Sequence, residues 1–278
     1  MLRYITLRLM QGVVVIFLVS ITSFIIMQIA PGSPVEIMVG EQQITPEQIA
    51  AIERKWGLDK PWYIQYFTWL GNVFTGDLGT SVVRTGEPVR EMIFEAAPQT
   101  LKLNLLSLFF SLLIAVPVGV LAAVKRYSLF DYLSMVGATL GIALPNYWVG
   151  LMLIIIFALK LGWLPPYGSD SWKSFVLPVS VLASQEMAIL ARLSRGTTSE
   201  VLSQDYVTTA RAKGLRDRVV ISRHVVRNAL LPVVTMVGYR IAFILSGTIV
   251  VETIFAWPGI GQLFFSSIDR KDYQVVRS

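Results

Sequence analysis

The chain has 278 residues, of which 54% are hydrophobic and only 15% charged, against about a quarter charged in an ordinary soluble domain. It has no cysteine and one histidine, His224, which excludes a disulfide framework, a thiolate nucleophile, a cysteine metal site and a multi-histidine metal cluster. The net charge of +6 raises nucleic acid as a partner, but the placement of that charge argues against it.

Positions 9–35, 103–124 and 132–159 contain no Asp, Glu, Lys or Arg. Each run exceeds the roughly 20 apolar residues that a helix needs to cross about 30 Å of hydrocarbon. In chain order the expected spans are Leu9–Ala30, Thr100–Val124, Tyr132–Leu159, Phe175–Leu193 and Leu230–Val251. All must be helices, because an unpaired amide in lipid costs several kcal/mol. Span one follows Arg3 and Arg8 and is expected to be a retained anchor, since a leader's apolar core runs only about 7–15 residues and Ala30-Pro31-Gly32 makes a poor cleavage site. Pro117, Pro145 and Pro178 are expected to kink spans two, three and four.

Between spans one and two, residues 31–97 are too amphipathic for a linker. Thr45 and Gln48 form a capping box with Pro46 at the first helical position. Ile44 and Ile49 are spaced as a staple, Ile49, Ile52 and Trp56 follow at helical spacing, and Gly57 is placed to stop the helix. A second outer helix is expected from Pro61, carrying Trp62, Tyr63, Tyr66, Phe67, Trp69 and Leu70, an aromatic crowding suited to a membrane interface. A third, short one is expected from Pro88. Two readings stay open: the segment packs on the outer ends of the spans, or it receives a delivery protein or substrate.

Orientation follows from Lys and Arg. Segment 191–228 holds eight basic residues and three acids, whereas 31–97 holds five basic residues and nine acids. The N-terminus, the 125–131 turn and the 191–228 loop are therefore expected in the cytoplasm, with 31–97 and 160–174 outside. All five spans alternate consistently. A basic loop beside spans is what topology alone produces, so nucleic-acid binding is set aside.

The cytoplasmic loop carries the functional signal. Asp205, Tyr206, Ala210, Arg211, Ala212, Lys213, Gly214 and Leu215 read as a short helix stopped at Gly214, where a left-handed cap suits glycine. Ala210 and Ala212 are small enough for close approach to another surface, and the basic residues can pair with acids there. Arg227 and Asn228 stand where the next span begins. The picture is a stiff push-rod between two spans.

Two charges lie inside the spans, Glu186 in the fourth and Arg240 in the fifth. At about 1.5 Å per residue both sit roughly 14–15 Å from the cytoplasmic ends of their spans. They are expected to face the bundle interior and pair, or else to line a wet cavity separately. Asn146, Tyr147, Gln185, Glu186 and Arg240 are the candidates for a translocation path, against the alternative of ordinary interhelical hydrogen bonding.

The loop resembles that of binding-protein-dependent ABC importer permeases, whose generic pattern is Glu-Ala-Ala, three residues, Gly, then Leu-Pro. Ala210 matches the second alanine, Gly214 the glycine and Leu231-Pro232 the closing pair. Thr208 and Thr209 depart from the generic Glu-Ala, and the stretch from Gly214 to Pro232 is longer than the generic one. Both departures resemble the dipeptide/oligopeptide/nickel branch. So do Pro31-Gly32-Ser33-Pro34, Gly76-Asp77-Leu78-Gly79-Thr80-Ser81, Leu161-Gly162-Trp163-Leu164-Pro165, Val250-Val251-Glu252 and Trp257-Pro258-Gly259. The order matches the first of the two permeases in such systems.

The resemblance implies an all-α, polytopic bundle of the type I ABC importer permease kind, with outer amphipathic helices between spans one and two. The family usually has six spans, the last starting just after an Asp-Tyr such as Asp272-Tyr273; five are expected here. The domain plan is 1–30 for the N-terminus and first span, 31–97 for the outer segment, 98–258 for the core with coupling loop 197–228, and 259–278 for an outer C-terminal segment. The implied function is an ATP-driven importer of peptides, or alternatively of nickel, glutathione or another small solute. Implied partners are a second permease, two cytoplasmic ATPase subunits, an extracytoplasmic binding protein that largely sets the solute, and membrane lipid. The implied location is a bacterial or archaeal inner membrane. No phosphate loop of the form Gly-x-x-x-x-Gly-Lys-Ser/Thr occurs. ATP and magnesium therefore belong to the ATPases, and no catalytic residue, cofactor or metal site is assigned to this chain. The rival classes are a stand-alone secondary transporter or channel, which lacks support from paired broken helices, and a membrane enzyme, for which no constellation is present.

Overall fold

A computed structural model of the chain describes residues 2–29, 47, 54, 59–81, 83–84, 86–245, 248–270 and 272–277. The capping box at Thr45, most of the helix expected after it and the Pro31–Pro34 motif lie outside these residues. Among the described residues the regular elements are helical, apart from a single bridge between Thr80 and Pro88. Four helices are long and apolar enough to cross a membrane, or five if a sharply bent pair counts as one span.

The chain forms two compact units, Met1–Glu95 with Leu263–Ser278, and Ala96–Gln262. The first contains α1 (Leu2–Ile29), α2 (Trp62–Thr75) and the beginning of α3 (Val89–Val124). In α1 the apolar residues run all round the helix, and only 6% of its most apolar stretch is covered, as suits a helix solvated by lipid. Its contact with α2 is aromatic. Tyr66 meets Phe24 edge-on at 5.4 Å between ring centres, and its hydroxyl lies 2.9 Å from Ser20 Oγ. Gly76, at φ +80°, closes α2, with the Asp77 amide bonded back to Asn72 O. Asp77 then accepts from the Gly79 amide at 2.9 Å. Ser81 Oγ donates to Asp272, which is buried, and Arg84 N donates to Ser81 Oγ at 2.8 Å. The Gly76–Ser81 motif is thus a folded turn whose polar groups are satisfied.

The third outer helix expected at Pro88 is not separate. α3 runs unbroken for 36 residues through Pro98 and Pro117, so the expected boundary at 97/98 falls inside a helix. A proline removes one ladder bond, while the turns on either side keep theirs.

The second unit is built around α6 (Trp172–Leu202), whose most apolar stretch is 56% buried. Against it lie α4 (Leu129–Ala143), α5 (Asn146–Leu153) and α9 (Arg227–Ala242). One core joins Leu103, Leu177, Val181, Val251, Phe255 and Trp257; another joins Ala115, Leu190, Ala191 and Val233. Span three, expected as one kinked helix over Tyr132–Leu159, is bent by 102° between α4 and the arm Asn146–Lys160. Pro145 forces its predecessor out of the helical region, and Leu144 is accordingly extended at φ −81°, ψ 127°. The arm ends in a π-helical segment, Ile154–Lys160.

The fifth span also differs from expectation. Its helix ends at Ala242 rather than Val251, and α10 (Ile249–Ile254) starts afresh. The Thr248 hydroxyl, just before α10, is committed to Glu252 at 2.9 Å. α11 (Ile260–Asp269) and α12 (Tyr273–Arg277) complete the described chain.

Candidate functional site

α7 (Asp205–Ala212) follows α6 after a two-residue link in which Gln204 is extended at φ −77°, ψ 146°. Asp205 in its first turn and Arg211 in its last complement the helix dipole. Its end is a Schellman closure. Gly214, at φ +78°, donates to Arg211 O at 2.9 Å, and Leu215 donates to Ala210 O at 3.4 Å. A Cβ added at Gly214 would meet nothing within 4 Å, so the glycine is demanded by backbone conformation and not by space.

The chain returns through α8 (Asp217–Val219) and a π-helical segment, Val220–Val226, into α9. Val207, Ala210, Val220 and Val225 form a small buried core, flanked by Val201 and Leu202. This corrects one expectation. Ala210 is turned inward, 6% exposed, and its small side chain serves packing within the loop rather than approach to another surface. Ala212 is exposed, together with Asp205, Tyr206, Arg211, Lys213, Gly214 and Leu215. Asn228 Nδ2 donates to Tyr206 Oη at 3.0 Å, and Arg211 pairs with Asp217 at 3.3 Å. The latter pair is exposed and contributes at most about 1 kcal/mol. Thr197 Oγ1 donates to Ala229 O at 2.9 Å, tying the end of α6 to the beginning of α9. The loop is a miniature folded module on two long helices.

Deeper in the bundle, Arg240 Nε lies 4.0 Å from Glu186 Oε1, and Ser111 Oγ lies 3.5 Å from the other carboxylate oxygen. Matching depth on two helices has brought the charges together. Both retain some exposure, in a small cleft that Asn104, Leu108, Phe243 and Ile244 also line. The adjacent Gln185 accepts from Asn146 Nδ2 at 3.0 Å, which fastens the broken span three to α6. Tyr147 does not join this group; it is 54% exposed.

A fully buried acid, Glu252, is the feature missed as a site. Thr100 Oγ1 and Thr248 Oγ1 donate to its Oε1 at 2.7 and 2.9 Å, and the Gln262 amide donates to Oε2 at 3.1 Å. Thr100 Oγ1 in turn accepts from the Ile260 amide at 2.8 Å. A Cβ on Gly259 would collide with the carboxylate, and one on Gly261 would come within 2.6 Å of the Ile249 backbone. The Val251-Glu252 and Trp257-Pro258-Gly259 motifs are therefore two halves of one knot, capped by Trp257, whose indole donates to Gln99 O at 3.2 Å. The available signal was a lone carboxylate in an otherwise uncharged stretch.

The sequence matches the family described as binding-protein-dependent transport system inner membrane component over residues 115–277. Residues 1–104 match the N-terminal part of such membrane components. The oligopeptide transport system permease protein AppB of Bacillus subtilis is 42% identical, over 99% of this chain and 90% of the relative. The dipeptide transport system permease protein DppB of Alkalihalophilus pseudofirmus is 38% identical, over 100% of this chain and 91% of the relative. The glutathione transport system permease protein GsiC of Escherichia coli is 38% identical, over 100% and 90%. With full-length similarity, a helical bundle and four or five spanning helices, the chain belongs to the binding-protein-dependent transport system inner membrane components: it is a multi-pass, non-catalytic permease subunit of an ABC importer.

Proposed function

We propose that this permease lines a path for peptides together with a second, homologous permease, and that its α6–α9 loop docks on a cytoplasmic ATPase. Two such ATPases carry the ATP and magnesium, and an extracytoplasmic binding protein delivers the solute against residues 31–97 and 259–278. The N-terminus and the loop then lie in the cytoplasm of a bacterium or archaeon. The observation that carries this reading is the loop's construction. It has its own core in Val207, Ala210, Val220 and Val225, and it presents Asp205, Tyr206, Arg211, Ala212, Lys213, Gly214 and Leu215 outward. A solvent-facing loop with no partner has no need of a rigid core. Seating on a motor protein requires one.

Asn146, Gln185, Glu186 and Arg240 are the proposed polar wall of the path; Tyr147 is left out of it. A peptide carries an ammonium, a carboxylate and amides, and this wall offers an acid, a base and two amides. The same chemistry suits glutathione, and one relative belongs to a glutathione transport system.

The absence of native cysteine makes a direct test clean. Ala212→Cys is expected to form a short-linker crosslink to an ATPase subunit in the assembled importer. A Cys placed at exposed Tyr167, in the 160–174 segment on the opposite, outer side, is expected to form none. Failure of position 212 to crosslink, with the importer intact, overturns the docking reading.

A further inference from the structure

The ion pair between Asp131 and Arg195 is much tighter than that between Glu186 and Arg240, and its arginine stands on α6, the helix that carries the loop. Arg195 Nε and Nη2 donate to the two Asp131 oxygens at 2.5 and 2.8 Å, the two-pronged geometry that fixes orientation as well as distance. The Asp131 side chain is 5% exposed. Asp131 is itself built in. Its Oδ2 accepts from the Tyr127 amide at 3.0 Å, and its own amide donates to Ser128 Oγ at 3.3 Å. Tyr127 is held at φ +64°, a conformation that a non-glycine residue keeps only where its surroundings impose it. The short link between α3 and α4 is thus wound around this one carboxylate.

A second, independent observation places α3 in the same assembly. At Gly119 a Cβ would meet Ser194 Cβ at 2.5 Å, Ala191 O at 2.6 Å and Arg195 N at 2.9 Å. The backbones of α3 and α6 touch there, beside the arginine that forks onto Asp131. α6 ends at Leu202, roughly 10 Å beyond Arg195 at 1.5 Å per residue, and α7 follows at once.

We infer that the Asp131–Arg195 fork, seated on the Gly119 contact, is the positioning element that makes the α3–α4 link and the loop-bearing end of α6 move as one body. It rests on the proposed docking of α7 on an ATPase. A push on α7 is then delivered to α3 and α4 instead of being spent in bending α6. An ion pair with its acid buried is a poor way to gain stability alone, because apolar residues of similar volume often do as well. What a fork supplies is a fixed relative orientation, which is what force transmission needs.

The test uses the complete importer with its ATPases and binding protein in liposomes, measuring solute uptake and ATP hydrolysis separately per assembled complex. Arg195→Lys keeps the charge but loses the fork, and Asp131→Asn loses the charge. Both are expected to hydrolyse about threefold or more ATP per solute moved. An unchanged ratio in assembled Arg195→Lys and Asp131→Asn overturns the inference. If neither assembles, the neutral double variant Asp131→Asn with Arg195→Gln, which leaves no lone charge, takes their place. Failure of that variant to assemble also overturns the inference, since the pair is then a folding requirement. The Ala212→Cys crosslink, repeated in each background, separates the two readings: no crosslink in the parent importer defeats docking itself, whereas a normal crosslink with an unchanged ratio defeats only the fork.

Discussion

At the scale of single residues, the most demanding position is Glu252. Its carboxylate accepts from two hydroxyls and one amide with no exposed surface. Glu252→Ala strands three buried donors, each costing about 1–3 kcal/mol, so the variant is expected to melt markedly earlier in detergent. Glu252→Gln keeps one carbonyl oxygen for the threonines and is expected to lose much less; equal loss in both would mean that the charge, not the acceptor, holds the knot. This site was not legible in the sequence, because Thr100 and Glu252 are 152 positions apart and no periodicity links them. Glu186 and Arg240 were legible, because a helix fixes depth by counting residues, and equal depth on adjacent helices is most of a contact. Ala210 misled for a related reason. Its burial depends on Val220 and Val225 in a π-helical segment, where the ordinary 3.6-residue spacing gives the wrong face.

At the scale of elements, α7 behaves as a cap-dependent unit. Gly214→Val puts a β-branched residue at φ +78°, costing about 1–3 kcal/mol locally. The expected outcome is uptake reduced severalfold with ATP hydrolysis retained and a normal amount of inserted protein; full uptake would show that the Schellman closure is dispensable. The short helix and its glycine stop were readable directly, since both are local chemistry. Span boundaries were less so. Hydropathy marks where lipid lies, not where hydrogen bonding stops, so α3 began earlier than its apolar run. Pro145 signalled a break, but the 102° angle is set by packing on α6, including the Asn146–Gln185 bond.

At the scale of the whole molecule, membrane class and family were carried by long uncharged runs and by motifs scattered from end to end, whereas the division into two compact units was not. Helices α3 and α11 each run across the line between those units, so neither composition nor a linker marks it. A permease subunit without its motors is expected to move no solute: the chain alone in liposomes gives no ATP-independent uptake, and adding the partner subunits with ATP confers it. Uptake by the chain alone would restore the secondary-transporter reading. The Glu252 knot also sets a timetable for biogenesis. Thr100 leaves the ribosome 152 residues before the acid that it serves, and at about 5–20 residues per second that is roughly 8–30 seconds. During that interval the Thr100 hydroxyl lacks the Glu252 carboxylate, and the knot closes only when the Gly259–Gln262 segment has emerged. The second span therefore waits on residues made long after it before its buried hydroxyl finds its acceptor.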